Sequence, residues 1–213
     1  PEGSIHVSGG FFRNNGVAGI RITTSGPSTV RGAHVRCDDA DAVGENMRGI
    51  RLRGGHSLLV EDCLVELVAV PSSDGAITVA SELESATVRN CRLRVDADGV
   101  NGIRVKAPVT GTSLDTRDGP FRFENIDITG SAAGGAAVRA SGRKNCSFNT
   151  LRIHQPGADR DGIVTTKVDG ELVDTCVSVT ADPLAFSESN IERRNVRLFN
   201  RPDVERCQSE ADV

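Results

Sequence analysis

The sequence predicts an all-β solenoid of about eight coils, and three observations carry that expectation. The phrases "VEDCLVEL" at 60–67 and "VRNCRLRV" at 88–95 are nearly the same phrase, written twice. Apolar residues in and around such phrases alternate with period two, which is the strand period and not the helical 3.6. A second phrase, opening on glycine, stands before most copies of the first, so the repeating unit holds more than one strand.

The first phrase defines a register: an apolar residue, a second inward residue three further on, and a third two beyond that. It fits Val7/Gly10/Phe12, Val30/Ala33/Val35, Val60/Cys63/Val65, Val88/Cys91/Leu93, Phe123/Ile126/Ile128, Phe148/Leu151/Ile153, Leu172/Thr175/Val177 and Ile191/Arg194/Val196. Successive first members lie 19 to 35 residues apart, a range in which internal periodicity signals a solenoid and unequal gaps signal loop insertions. Two residues after each first member stands Gly9, Gly32, Asp62, Asn90, Asn125, Thr150, Asp174 or Arg193. Most of these types tolerate left-handed or turn backbone, so a sharp bend is expected inside each unit.

The second phrase supplies a leading strand: "GIRI" at 19, "GIRL" at 49, "GAITV" at 75, "GIRV" at 102, "GAAVR" at 135 and "GIVT" at 162. If Ile20, Ile22, Ile50, Leu52, Ile103 and Val105 point inward, then Arg21, Arg51, Arg53, Arg104 and Lys106 point outward on one sheet, with Thr78 interrupting the stripe. Arginines arrayed at strand spacing can pair bidentately with carboxylates or sulfates along a polymer. Arg194 falls on a slot that is small or apolar in most copies, so stacking is expected to stop there. Residues 1–200 then form one domain, beginning inside a repeat, and 201–213 a polar tail or cap.

Composition agrees with this reading. The chain has 213 residues, 38% hydrophobic, with only 3% aromatic, so its core must come from small and branched side chains, which suit strands. Of 25 basic residues three are Lys and the remaining 22 are Arg, yet the formal charge is −4, which does not suggest a nucleic-acid partner. No apolar run approaches the roughly 18 residues of a membrane span. The chain opens at Pro1 without a basic-then-apolar signal segment, as expected of a processed or excised piece. None of the six cysteines is spaced as C-x-x-C; Cys63 and Cys91 sit in inward slots as small hydrophobes, buried free thiols are the expectation, and Cys37 and Cys207 stay open. The four histidines (His6, His34, His56, His154) have no carboxylate at recognisable sequence spacing and are read as solvent-facing.

"VEDCLV", "VRNCRL" and "FENIDI" resemble the repeats of right-handed parallel β-helix proteins of the pectin-lyase-like superfamily, over roughly residues 4–198. Stacking at about 4.8 Å would make eight coils on the order of 40 Å tall. The resemblance implies an extracellular or cell-surface protein that meets carbohydrate, but it spans lyases, hydrolases, epimerases and phage tailspikes. Fragments also resemble polygalacturonase sites: Asp38 and Asp39 in "RCDDAD", His56 in "RGGHS", and Arg104 and Lys106 in "GIRVK". Paired carboxyls could place a hydrolytic water, although the Asn-Thr-Asp element of that family is absent. Lyase chemistry would need acids holding Ca²⁺, for which Asp74, Asp98 and Asp161, each near the start of a leading strand, are the candidates; Asp-Gly turns explain the same residues. Three classes result. The first is a module recognising acidic polysaccharide through the Arg stripe, with no cofactor. The second is a polysaccharide lyase, epimerase or hydrolase. The third is a structural or adhesive solenoid on a cell surface or virion.

Overall fold

The computed structural model describes residues 3–109, 119–201 and 207; among these there are eighteen strands and no helix. The strands form two sheets, and every pairing is parallel. One sheet, called the bent sheet below, contains β1 (His6–Ser8), β2 (Phe11–Arg13), β4 (Ser28–Arg31), β5 (His34–Asp38), β7 (Leu58–Glu61), β8 (Leu64–Ala69), β10 (Ala86–Val95), β12 (Phe121–Thr129), β14 (Cys146–Gln155), β16 (Asp169–Val179) and β18 (Asn190–Phe199). The straight sheet contains β3 (Ala18–Thr23), β6 (Arg48–Arg53), β9 (Gly75–Val79), β11 (Asn101–Val105), β13 (Ala136–Ser141), β15 (Asp161–Thr166) and β17 (Leu184–Ser187). The chain alternates between them, each visit pairing with the one before, which is compatible with a parallel β-helix.

The repeat read from sequence is the register of the bent sheet. Val7, Val30, Val60, Val88, Phe123, Phe148 and Leu172 form one paired column. Those from Val30 onward are at most 1% exposed. Phe123 and Phe148 stack with centroids 5.3 Å apart. The bend falls where expected: Gly9, Gly32, Asp62, Asn90, Asn125, Thr150 and Asp174 all have positive φ. That left-handed conformation turns the strand within one residue and keeps inward positions on both sides of it. The bend side chains also bond along the stack, Asn125 donating to Asn90 at 2.9 Å and Asn90 to Asp62 at 3.3 Å.

The last copy corrects the sequence reading. Leu172 pairs with Arg193, not Ile191, and Thr175 with Val196. The bend is Asn195, with φ 51°, so the copy is Arg193/Val196/Leu198, two residues later than expected. Arg194 is an outward residue; β18 still pairs along its length, but its inward slots are only half covered or exposed.

Glycine heads the leading strands because the two sheets meet there. A Cβ at Gly19, Gly49 or Gly162 would lie 2.2, 2.3 or 2.6 Å from a methyl of Val35, Val65 or Val177 on the bent sheet. Two buried arginines tie the loops. Arg143 donates to the carbonyls of Lys106, Leu83, Ala80 and Ser81 and lies 4.7 Å from the Phe121 ring. Arg160, fully buried, donates to Gln155 and to the carbonyls of Val100 and Gly134, and burial pulls its pKa down to about 10. Each supplies hydrogen bonds to carbonyls on neighbouring levels of the stack.

Cys37, Cys63, Cys91 and Cys146 are buried free thiols. Cys176 is not: it sits in an outward column, paired with Arg152 and Arg197, and forms a disulfide with Cys207. Of the expected tail at 201–213, only Arg201 and Cys207 fall within the described residues.

Candidate functional site

The straight sheet presents the arginine stripe. Its pairing sets Ile20, Ile50, Ile77, Ile103, Val138 and Ile163 in one inward column, so the residue after each forms an outward column: Arg21, Arg51, Thr78, Arg104, Arg139 and Val164. Arg139 extends the stripe by one level. The signal was in the phrase "GAAVR": aligning Val138 with Ile103 puts Arg139 beside Arg104. Arg48 joins from the head of β6, and Arg53 and Lys106 stand at the far ends of their strands.

The charges on this face are unequal. Asp74 takes Arg48 at 2.5 Å and Lys106 at 2.8 Å, Arg53 meets Glu82 at 3.2 Å, and Arg139 lies 3.9 Å from Asp161. Among the described residues the middle of the stripe has no such partners. Arg21 bonds only the hydroxyl of Thr23 among the described residues. Arg104 donates to the carbonyls of Val105 and Arg139 and to Ser141 Oγ, none of them charged. Arg51 Nε and, one level on, Thr78 Oγ1 are buried without any hydrogen-bond partner. Burial, followed by the guanidiniums of Arg48, Arg21 and Arg53, pulls the Arg51 pKa down; burial and then Arg139 do the same to Arg104. Burial opposes ionisation of Asp74, yet hydrogen bonds from Lys106 and Arg48 hold its carboxyl below the ordinary value. The result is a ladder of like charges with donors in reserve, able to bind anionic groups repeated along a chain.

The other candidate residues are not brought together. Asp38, at the end of β5, accepts from Arg13, Arg36 and Asn14, and these bonds hold its pKa far below the ordinary carboxylate range. A register shift between Cys37 and Asp38 accompanies this placement. Asp39 is exposed and accepts from the backbone of Asp41. His56 stands in the turn between β6 and β7, at a different corner, with its ring 4.0 Å from Glu84. Asp38 is thus occupied as an ion-pair acceptor.

The Asp74, Asp98 and Asp161 corner does not stack either. Asp161 pairs with Ala136, and Gly75 with Asn101, so Asp74 falls one residue before that row and Asp98 three residues before it. Asp98 accepts from the backbone of Ala133. No group of three metal-ligating side chains occurs among the described residues.

Besides His56 beside Glu84, a second histidine departs from its reading more clearly. His34, taken as carboxylate-free, meets Glu66 of the next level at 2.7 Å, while Arg36 reaches the same carboxylate at 3.0 Å. The partner lies 32 residues away in sequence and is adjacent only through the stacking. Comparisons with protein-family models, with curated proteins and with solved structures find no match. No helix is long and apolar enough to cross a membrane among the described residues.

Proposed function

We propose that the chain is a right-handed parallel β-helix of about eight coils, of the pectin-lyase-like kind, that binds acidic polysaccharide on its straight sheet. Arg21, Arg51, Arg53, Arg104 and Lys106 are the contact residues, joined by Arg139. The observation that carries this is the unpaired column: Arg51 and Arg104 sit half-buried, one Thr apart, and neither bonds a carboxylate. Stacked like charges destabilise the empty protein, and an anionic chain laid along the column removes that repulsion and gives the buried donors acceptors. The Cys176–Cys207 disulfide supports an extracellular or cell-surface setting, because such bonds persist in oxidising compartments.

The test is titration with polygalacturonate and with a sulfated polymer at rising salt, for the parent and for Arg51→Gln/Arg104→Gln. Binding is expected to weaken steeply with salt, since exposed charges are screened over about 8 to 10 Å. The double variant is expected to lose about tenfold for each charge-assisted contact. Binding of the acidic polymer that survives the double variant, or ignores salt, overturns the proposal.

A further inference from the structure

A second surface of different character lies on the outward side of the bent sheet, before the bend. Two cavities open there, of about 710 and 340 Å³, and both are lined by Pro120 and Arg122. The larger reaches Glu171 on β16, the smaller Leu59 on β7, so the trough crosses β7, β10, β12, β14 and β16. Four strand steps make it about 19 Å long. At Gly170 a Cβ would lie 1.9 Å from the carbonyl oxygen of Cys146, so glycine lets β16 approach the β14 backbone closely at this end of the lining.

Pairing along the trough leaves one gap. Glu61 accepts from both Arg31 and Arg89, and Glu171 accepts from Ser147 and Arg194. Between these two clusters, Arg122 and Glu124 stand two residues apart on one face of β12. The hydrogen bonds and ion pairs among the described residues include neither side chain, although both line the larger cavity. The rest of its lining mixes Ser147, Asn145 and Asn149 with Pro120, Cys146, Gly170 and the already paired carboxylate of Glu171.

We infer that this trough binds a linear, uncharged, hydroxyl-rich chain such as a neutral oligosaccharide. A hydroxyl both donates and accepts, so one sugar hydroxyl can accept from Arg122 while donating to Glu124, which satisfies both charges without bringing a third. A polyanion would meet Glu124 and Glu171; a polycation would meet Arg122 and the arginines around Glu61. The lined length across five strands suits a linear ligand over a compact one. The inference is independent of the straight sheet, whose surplus of positive charge selects a different partner.

The experiment measures binding of linear neutral oligosaccharides of glucose, xylose and mannose, at millimolar concentration, by calorimetry and by backbone amide shifts. The parent is expected to bind at least one of them with little dependence on salt, shifting amides of β12 and β14. Arg122→Ala/Glu124→Ala is expected to weaken that binding tenfold or more with melting little changed, since neither side chain has a hydrogen bond or ion pair to lose among the described residues and Glu124 acts on Arg89 only through space. Arg51→Gln/Arg104→Gln is expected to leave it intact. Failure of every neutral probe to bind, undiminished binding by the Arg122/Glu124 variant, or loss of binding in the Arg51/Arg104 variant overturns the inference.

Discussion

The outward faces of the two sheets are built by the same rule and end in opposite electrostatics. Parallel in-register stacking sets each position above its copy in the previous level, so whatever charge the repeat carries is laid down as a column. On the bent sheet the paired column runs Arg31, Glu61, Arg89, and a neighbouring cluster joins Arg13, Asp38, Arg36, Glu66 and His34. Alternating signs make these contacts self-satisfying. On the straight sheet the column runs Arg21, Arg51, Thr78, Arg104, Arg139, one sign throughout. The first arrangement stabilises the stack; the second costs stability, which is why the polyanion proposal rests on it.

Making the bent sheet resemble the straight one is expected to have the largest effect. Glu66→Lys would set a cation against Arg36 and His34 at a position only 8% exposed, and is expected to destabilise by about 3 kcal/mol or more in a denaturant titration. A melt equal to the parent's would mean that the alternation is incidental.

Acid tests the same contrast without mutation. The carboxyls of Asp38, Glu61 and Glu66 all have folded pKa values below their unfolded ones: arginine hydrogen bonds lower Asp38 and Glu61, and at Glu66 bonds from His34 and Arg36 outweigh burial. A depressed carboxylate pKa contributes stability that is present above the unfolded value of about 4 and lost as pH falls through the folded one. Tm is therefore expected to hold near neutrality and fall steadily below about pH 4. Asp38→Asn is expected to melt lower at neutral pH and to show a shallower acid slope; a slope identical to the parent's would remove Asp38 from the account.

The smallest expected change runs the other way. Arg51→Glu would place an acid between Arg21 and Arg53 and give the straight sheet some alternation. A gain of up to about 1 kcal/mol is expected, the size of a favourable surface pair, together with loss of polyanion binding. A variant that melts lower would show that the Arg51 stem packs more than its charge repels.

Much of this was legible in the residues, and the exceptions have physical causes. Period-two alternation and bend-tolerant residues fixed the bent-sheet register from Val7 to Leu172, because buried columns and left-handed backbone restrict side-chain type at every level. The last copy slipped by two, since Ile191 and Val196 mimic the usual spacing of the first and third members. At the end of the stack no further level covers the inward slots, so Arg193 can occupy one, and Asn195 was the better marker. The stripe was legible because it repeats; its counter-ions were not, because Asp74 meets Lys106 only through level-to-level stacking. Arg143 and Arg160 answer loop carbonyls, which leave no side-chain pattern. The trough arises from volume left between side chains of neighbouring strands, and volume has no letter of its own.

The one-residue bend also limits how such a chain can change length. From Gly32 to Asn195 it turns in a single left-handed residue, and several of its side chains are bonded to those above and below. An added residue there would throw every following side chain to the wrong face. The other two corners carry connections as short as that between β15 and β16 and as long as that between β11 and β12. New sequence can therefore enter at two seams of the molecule while the third stays sewn shut. Loops grafted at the corner between a straight-sheet strand and the next bent-sheet strand would overhang the trough at one end, which makes that corner the natural place to build a new specificity into this scaffold.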